Sequence, residues 1–239
     1  MIGVVGDATD TMMTAVEAAG EDIVSGSPKC VFDDDPDAVI AVGTQALSAL
    51  VRGTVPEVPI LAVDAGHGFP GTGDTREVVT ALGSGDYGTV DHPVFGVAVG
   101  DEYAGNAVVD VMIVTSDSGR ISEFRISSGA EIDEIRADGV VVATPAGSHG
   151  YARSAGGPRL RPGVDAAAVV PVAAFTMSPD RWVVGLDAPV EITSERDVPV
   201  SLLLDEDRRS LTPGSTVTVT AVDTIDLVVP GGSERSQSE

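Results

Sequence analysis

The stretch "DGVVVATPAGSHGYARSAGGP", Asp138 to Pro158, sets two Gly-rich turns, a Ser, a His and a Tyr directly behind an apolar run. A strand that only packs needs no such tail, and Gly-rich backbone beside a helix start attracts phosphate or ribose hydroxyls. Val140 to Ala143 read as the strand, and "AGSHGY" after Thr144 and Pro145 is expected to offer unhindered N–H groups. The same residues also suit a tight strand-to-helix turn capped by Ser148. The paired glycines of "SAGGP" favour the ligand, because they allow close backbone approach. His149 brings an imidazole, the side chain best suited to general-base work near neutral pH. Its Gly-rich setting suits positioning, or a solvent-facing role, better than general-base work. Asp138 is either a turn residue or an acceptor for ribose-hydroxyl or base-amino groups. Arg153, Arg159 and Arg161 crowd the same stretch, where they serve bound phosphate or the acidic surface. His67 and His92 fall in Gly- or Pro-containing loops, and with no HxxxH or CxxC spacing the histidines make no case for zinc.

Such residues need elements to hold them. "MIGVVGDATDTMMTAVEAAG" reads as a short buried strand, a turn at Gly6 and Asp7, and a helix from about Thr9 to near Gly20. "AVIAVG" runs into "TQALSALVRG", whose apolar positions recur at helical spacing, and "VPILAVDAG" ends in a Gly-rich loop. Strands alternating with helices in short steps predict parallel packing, with the ligand edge at the strand carboxyl ends. From about Tyr103 the pattern turns to Val- and Thr-rich runs broken by Gly, Asp and Pro, which predicts a β-rich second domain with one helix after Ser148. The expected division is an α/β domain over 1–100, a β-rich domain over 101–230 and a disordered polar tail over 231–239.

Composition narrows the partners. The 239 residues carry 37 Asp plus Glu against 14 Lys plus Arg, a net charge of -23, which repels nucleic acid and anionic membranes. Lys29 is the sole lysine, so short hydrated carboxylates dominate a surface suited to a salty cytoplasm, where repulsion is screened over a few ångström. No run of about 18 apolar residues and no basic-then-apolar N-terminus is present, so a soluble, non-exported protein is expected. Aromatics make up only 4%, leaving a core of Val, Ala, Leu and Ile. Cys30 stands alone and reads as a free thiol.

"DGVVVATPAGSHGYARSAGGPRLRPGVDAAAVVPVAAF" resembles the DG(L/V)(I/V)(V/I)STPTGSTAYxxSAGGPxxxP stretch of the NAD kinase family, and the likeness extends over about Ile2 to Pro230. It implies a Rossmann-like α/β N-terminal domain with a β-rich C-terminal domain, NAD held between them, and homo-oligomers. It further implies phosphorylation of the 2'-hydroxyl of the NAD adenosine ribose, with ATP or polyphosphate as donor and Mg²⁺. By position it assigns Asp138, Thr144, Gly147, Ser148 and Tyr151 to NAD, with His149 and Gly150 replacing the family's Thr-Ala pair. Asp205 in "LLLDEDRR" resembles the start of a structural Asp-Gly-Gln turn.

The phosphotransfer residues depart from the family. Its GGDGT loop, whose Asp handles metal or activates the 2'-hydroxyl, aligns with "VGTQA", so Gly43 is kept and Thr44 replaces the Asp. Threonine has no charge for Mg²⁺ and is no base near neutral pH. The family's Asn-Glu pair aligns with Asp110 and Val111, which puts an acid where the family has a nicotinamide-side amide and removes the neighbouring acid. "VDAGHGF" stands for the family's VNxGxLGF, with Asp64 for Asn. Asp64 and Asp7 follow predicted strands, and Asp64 is the nominated substitute acid, within a rearranged metal site. Three functions stay open: a divergent NAD kinase, a non-catalytic NAD(P)-binding regulator or sensor, and a vestigial interaction subunit.

Overall fold

The computed structural model describes residues 1–18, 20–66, 68–70, 75–117 and 120–230. Two compact units divide the chain, one built from Met1–His92 with Ile225 onward, the other from Pro93–Thr224. The tail expected over 231–239 and the loop residue His67 lie outside the described residues, as does Ala19 within the stretch where the first helix is expected to end near Gly20.

The first unit alternates β1 (Ile2–Val5), α1 (Asp10–Ala18), β2 (Ile23–Ser25), α2 (Pro28–Asp33), β3 (Ala38–Val42), α3 (Thr44–Val51), β4 (Ile60–Val63) and α4 (Thr75–Ser84). Its strands pair in parallel in the order β2-β1-β3-β4. Buried on both faces, β1, β3 and β4 read as continuous apolar runs such as "AVIAV". Ile40, Leu61 and Val63 of the sheet pack with Met12 and Val16 of α1 and with Val79 of α4. Ser27 caps α2 by accepting the Cys30 N–H at 3.4 Å, with Pro28 in the first turn, and Cys30 itself is exposed. Helix α4 has no counterpart in the sequence reading, because Val78, Val79 and Thr80 are β-branched and Gly83 interrupts its face.

The second unit holds most of β5 (Tyr87–Val99), then β6 (Glu102–Ala107), β7 (Asp110–Thr115), β8 (Ser122–Ser128), β9 (Ala130–Ala137), β10 (Gly139–Ala143), the short α5 (Tyr151–Ser154), β11 (Ala166–Val172), β12 (Trp182–Gly185), β13 (Val190–Ser194), β14 (Val200–Leu204), β15 (Asp207–Leu211) and the first part of β16 (Thr216–Pro230). One antiparallel sheet runs β12-β11-β10-β7-β14-β15. The start of β16 pairs with β13, β13 with β8 and β8 with β9, all antiparallel. Period-2 alternation sends Val111, Ile113, Val140 and Val142 toward Phe124, Ile126 and Ile192, while Met112, Val141 and Ala143 face Ala152 and Leu160. β10 is therefore buried on both faces, which is why it reads "GVVVA" without a polar position.

The units depart from the expected boundaries. Where the reading runs the first domain to residue 100 and the second unbroken to 230, the chain leaves the first unit at His92 and re-enters it at Ile225. The end of β16 belongs to the first unit because Leu227 pairs in parallel with Ile60. His92 is also corrected: it lies in β5 rather than a loop and is buried, its ring 5.4 Å from that of Phe69.

Candidate functional site

Within the β-rich unit the site grows from one pairing. Antiparallel β7 and β10 set Asp110 opposite Ala143, so the turn leaving β10 abuts the residues that lead into β7. Thr144 closes that junction. Its N–H donates to the Val109 carbonyl at 3.0 Å, and its Oγ1 donates to the carbonyls of Val108 (3.0 Å) and Val109 (2.9 Å). The same hydroxyl accepts the Gly147 N–H at 3.1 Å. Gly147 is required here, since a Cβ would sit 2.0 Å from the Val109 oxygen. β14 closes the other side. Asp205, just beyond its end, has its own N–H on the Asp110 carbonyl at 2.9 Å. The Asp205 carboxylate accepts the N–H groups of Val108 (3.2 Å), Val109 (2.8 Å) and Asp110 (3.1 Å). Its φ of 51° lies in the left-handed region, which Asp tolerates better than most residues.

Asp110 is thus pinned by its backbone, while its side chain accepts no hydrogen bond from the described residues. The residue is only 7% exposed. Burial first, and the nearby Asp205 charge second, push its carboxyl up to about 7.

The loop after β10 corrects one expectation. A 3₁₀ turn over Gly147–His149 consumes the amides that were to cradle phosphate: Ser148 N–H donates to Thr144 O, His149 N–H to Ala146 O and Gly150 N–H to Gly147 O. Tight turns satisfy their own donors when the chain reverses this sharply. Ser148 is fully buried and committed on both sides, donating to Pro145 O at 2.6 Å and accepting the Leu160 N–H at 2.8 Å. His149 Nε2 meets Leu160 O at 2.9 Å, so its ring has the positioning role that its setting suggests. Both side chains clamp the Pro158–Arg161 segment. Ser148→Ala is expected to cost about 1–3 kcal/mol, because it strands a buried N–H, and urea unfolding measures it.

Other nominated residues fall elsewhere. Tyr151 opens α5 and is 47% exposed. Asp138 is exposed at the opposite end of β10 from Thr144, its N–H on Val172 O. Among the described residues Arg153, Arg159 and Arg161 make no ion pair, so the acidic-surface alternative finds no support in these contacts.

In the α/β unit, Gly43, Thr44 and Asp64 come together at the carboxyl ends of β3 and β4. Gly43 (φ 84°) donates its N–H to Val63 O at 2.8 Å, and Thr44 Oγ1 donates to Ala65 O at 3.2 Å. Asp64 follows at φ 52°, exposed, as is Asp7 after β1. Among the described residues no three His, Cys, Asp or Glu side chains converge on a metal position, so the rearranged cage around Asp64 and Asp7 is not formed by them. The sequence reading treats Asp205 as a turn residue and misses its contact with Asp110, because nothing local links positions 95 apart.

The chain thus pairs an α/β unit with a β-rich unit whose β7–β10 junction is closed by a tightly bonded turn. It superposes on the crystal structure of yeast NADH kinase complexed with NADH at a TM-score of 0.80, with 18% identity, covering 99% of this chain and 89% of that one. It likewise matches an NAD kinase from Archaeoglobus fulgidus in complex with ATP at a TM-score of 0.73, with 19% identity, covering 95% and 92%. Residues 77–229 match the family model of the ATP-NAD kinase C-terminal domain. The NAD kinase of Methanopyrus kandleri is 36% identical over 57% of this chain and 51% of its own length. That of Thermococcus sibiricus is 33% identical over 69% and 62%. The chain belongs to the NAD kinase family. The match spans between half and two thirds of these curated relatives.

Proposed function

We propose that this protein binds NAD or NADP beside the turn after β10 and transfers a phosphoryl group from ATP or polyphosphate to the 2'-hydroxyl of the NAD adenosine ribose. The observation that carries this reading is Asp110: a buried carboxylate without a hydrogen-bond partner among the described residues, set beside the Thr144 turn of the stretch that resembles the family's dinucleotide loop. Relatives named for NAD kinase activity, and structures solved with NADH and with ATP, support the ligand classes. Arg153, Arg159 and Arg161, free of ion pairs, are suited to the donor's phosphates. Mg²⁺ fits here as the counter-ion of those phosphates rather than as a caged metal, since it commonly keeps its waters and binds through substrate oxygens. The setting proposed is a salt-rich cytoplasm, with the protein as a homo-oligomer.

A second reading is a non-catalytic NAD(P) sensor or regulator. Thr44 favours it, because its hydroxyl is spent on the Ala65 carbonyl and offers neither charge nor proton acceptor to a donor phosphate. The deciding experiment follows NADP formation in molar KCl with NAD, Mg²⁺ and either ATP or polyphosphate. Turnover supports the kinase; NAD or NADP binding without turnover over long incubation supports the sensor. Screening of the -23 charge makes a companion prediction: the midpoint of thermal unfolding rises from dilute buffer to molar KCl. A midpoint highest without salt contradicts the saline setting.

A further inference from the structure

We propose that Arg153, Arg159, Arg161 and Arg181 form one anion-binding face of the β-rich unit, and that its ligand is a condensed phosphate chain. This goes beyond the transfer reading, because such a face binds phosphate whether or not a phosphoryl group moves. All four side chains are exposed, on a chain of net charge -23. Elsewhere in the unit the acids claim their arginines: Arg125 pairs with Glu134 and Glu195, and Arg136 and Arg196 both pair with Glu123. Among the described residues Arg153, Arg159, Arg161 and Arg181 make no ion pair, although Asp180 adjoins Arg181 and Asp165 follows Arg161 closely.

Local structure gathers the four. Arg153 lies in α5, whose Ala152 packs with Leu160 against the six-stranded sheet. Leu160 is fixed by Ser148, which accepts its N–H at 2.8 Å, and by His149 at its carbonyl, 2.9 Å away. With Leu160 held inward, its neighbours Arg159 and Arg161 stand in solvent. Arg181, just before β12, reaches back to the same segment. Its Nη2 donates to Ala155 O at 3.4 Å and its Nη1 to Pro179 O at 3.1 Å. Gly156, at φ 87°, leaves room for it, since a Cβ there would lie 2.6 Å from the Arg181 Nη2. The paired glycines of "SAGGP" therefore admit an arginine. Two carbonyls orient that guanidinium, and its other N–H groups have no partner among the described residues.

The chemistry selects the ligand. A guanidinium presents paired N–H groups that match two oxygens of a phosphate, and it keeps its charge at any working pH. Carboxylates are abundant on this surface and do not engage these arginines, so an anion of higher charge density fits them. A condensed chain repeats its charged oxygens and meets several forks together, which a single phosphate cannot do. In molar KCl the screening length is about 3 Å, so repulsion by the remaining acids is suppressed and direct fork contacts persist. A lysine, acting as a point charge, would lose most of its pull under the same conditions.

The test titrates tripolyphosphate by calorimetry in molar KCl into wild type, Arg153→Gln, Arg159→Gln/Arg161→Gln and Arg159→Lys/Arg161→Lys. All the altered side chains are exposed, so the thermal midpoints are expected to match wild type. Affinity is expected to fall about tenfold or more for each arginine lost to Gln. The Lys pair keeps the charge without the fork, and an affinity about tenfold below wild type is expected of it too, which a diffuse positive field would not produce. Competition then identifies the source of the chain. Displacement of tripolyphosphate by ATP alone assigns the face to a nucleotide's phosphates, displacement by NAD assigns it to the dinucleotide's diphosphate, and displacement by neither assigns it to inorganic polyphosphate; each supports the face. Wild type that does not bind tripolyphosphate, or Gln variants that bind it within about twofold of wild type, overturn it. Should NADP still form in that case, the kinase reading stands without this face. Binding that depends on the arginines in a protein that forms no NADP overturns the kinase reading and leaves the face standing.

Discussion

Asp110→Asn is expected to stabilise the protein above neutral pH by about 3 kcal/mol, and the gain is expected to shrink steadily as pH falls from about 7 toward 3.8. The sign follows from the direction of the shift. The Asp110 carboxyl is raised from an ordinary value of 3.8 to about 7 in the folded chain, so the folded state holds its proton more tightly than the unfolded state does. Its contribution is most favourable below the unfolded value, declines as pH rises through the interval between the two, and reaches its floor above the folded value. A shift of this size corresponds to roughly 4 kcal/mol, and the unmet donors of the Asn amide take back part of it. Urea unfolding of both proteins at about pH 5 and about pH 8, in fixed KCl, reads the difference. A gap of equal size at both pH values means that Asp110 is not held near neutrality.

Asp205→Ala is expected to have the largest destabilising effect of any single polar substitution in the β-rich unit, about 3–5 kcal/mol. The carboxylate accepts three consecutive backbone N–H groups, from Val108, Val109 and Asp110. An Ala at φ 51° also takes on left-handed strain of about 1 kcal/mol, which Asn largely escapes. Asp205→Asn is therefore the milder change, since it keeps one carbonyl oxygen and the turn. It carries a second readout. Removing the Asp205 charge lowers the Asp110 carboxyl, but the carboxyl stays above the ordinary range because burial is the larger cause. The neutral-range inflection in stability is expected to move to lower pH in Asp205→Asn without vanishing. Stability curves of Asp205→Asn and wild type that titrate together sink the coupling between the two acids.

These two acids also show why the site is more than its motif. The loop "TPAGSHGY" looks like a cradle of free amides, yet Ser148, His149 and Gly150 give their N–H groups to the turn itself. What the turn builds instead is shape: Thr144 locks the entry to β7, and Ser148 with His149 clamps Leu160. Among the described residues no hydrogen bond reaches the side chain of Asp110.

Much of this protein was legible in its residues. The apolar runs of β1, β3 and β4, the helical spacing after Gly43, the Val- and Thr-rich second half and the family stretch after Asp138 are patterns of neighbouring residues. Backbone sterics and hydrophobic periodicity act over the same short range, so the sequence alone determines them. Tertiary structure decided the rest. It split the units at His92 and returned the end of β16 to the first, through the pairing of Leu227 with Ile60. It tied Thr44 to Ala65, set Asp138 at the far end of its strand and brought Asp205 against Asp110. Whether an acid is a solvated turn residue or a buried one that holds its proton depends on desolvation and on charges that only the folded chain brings near it, and no local pattern carries that information.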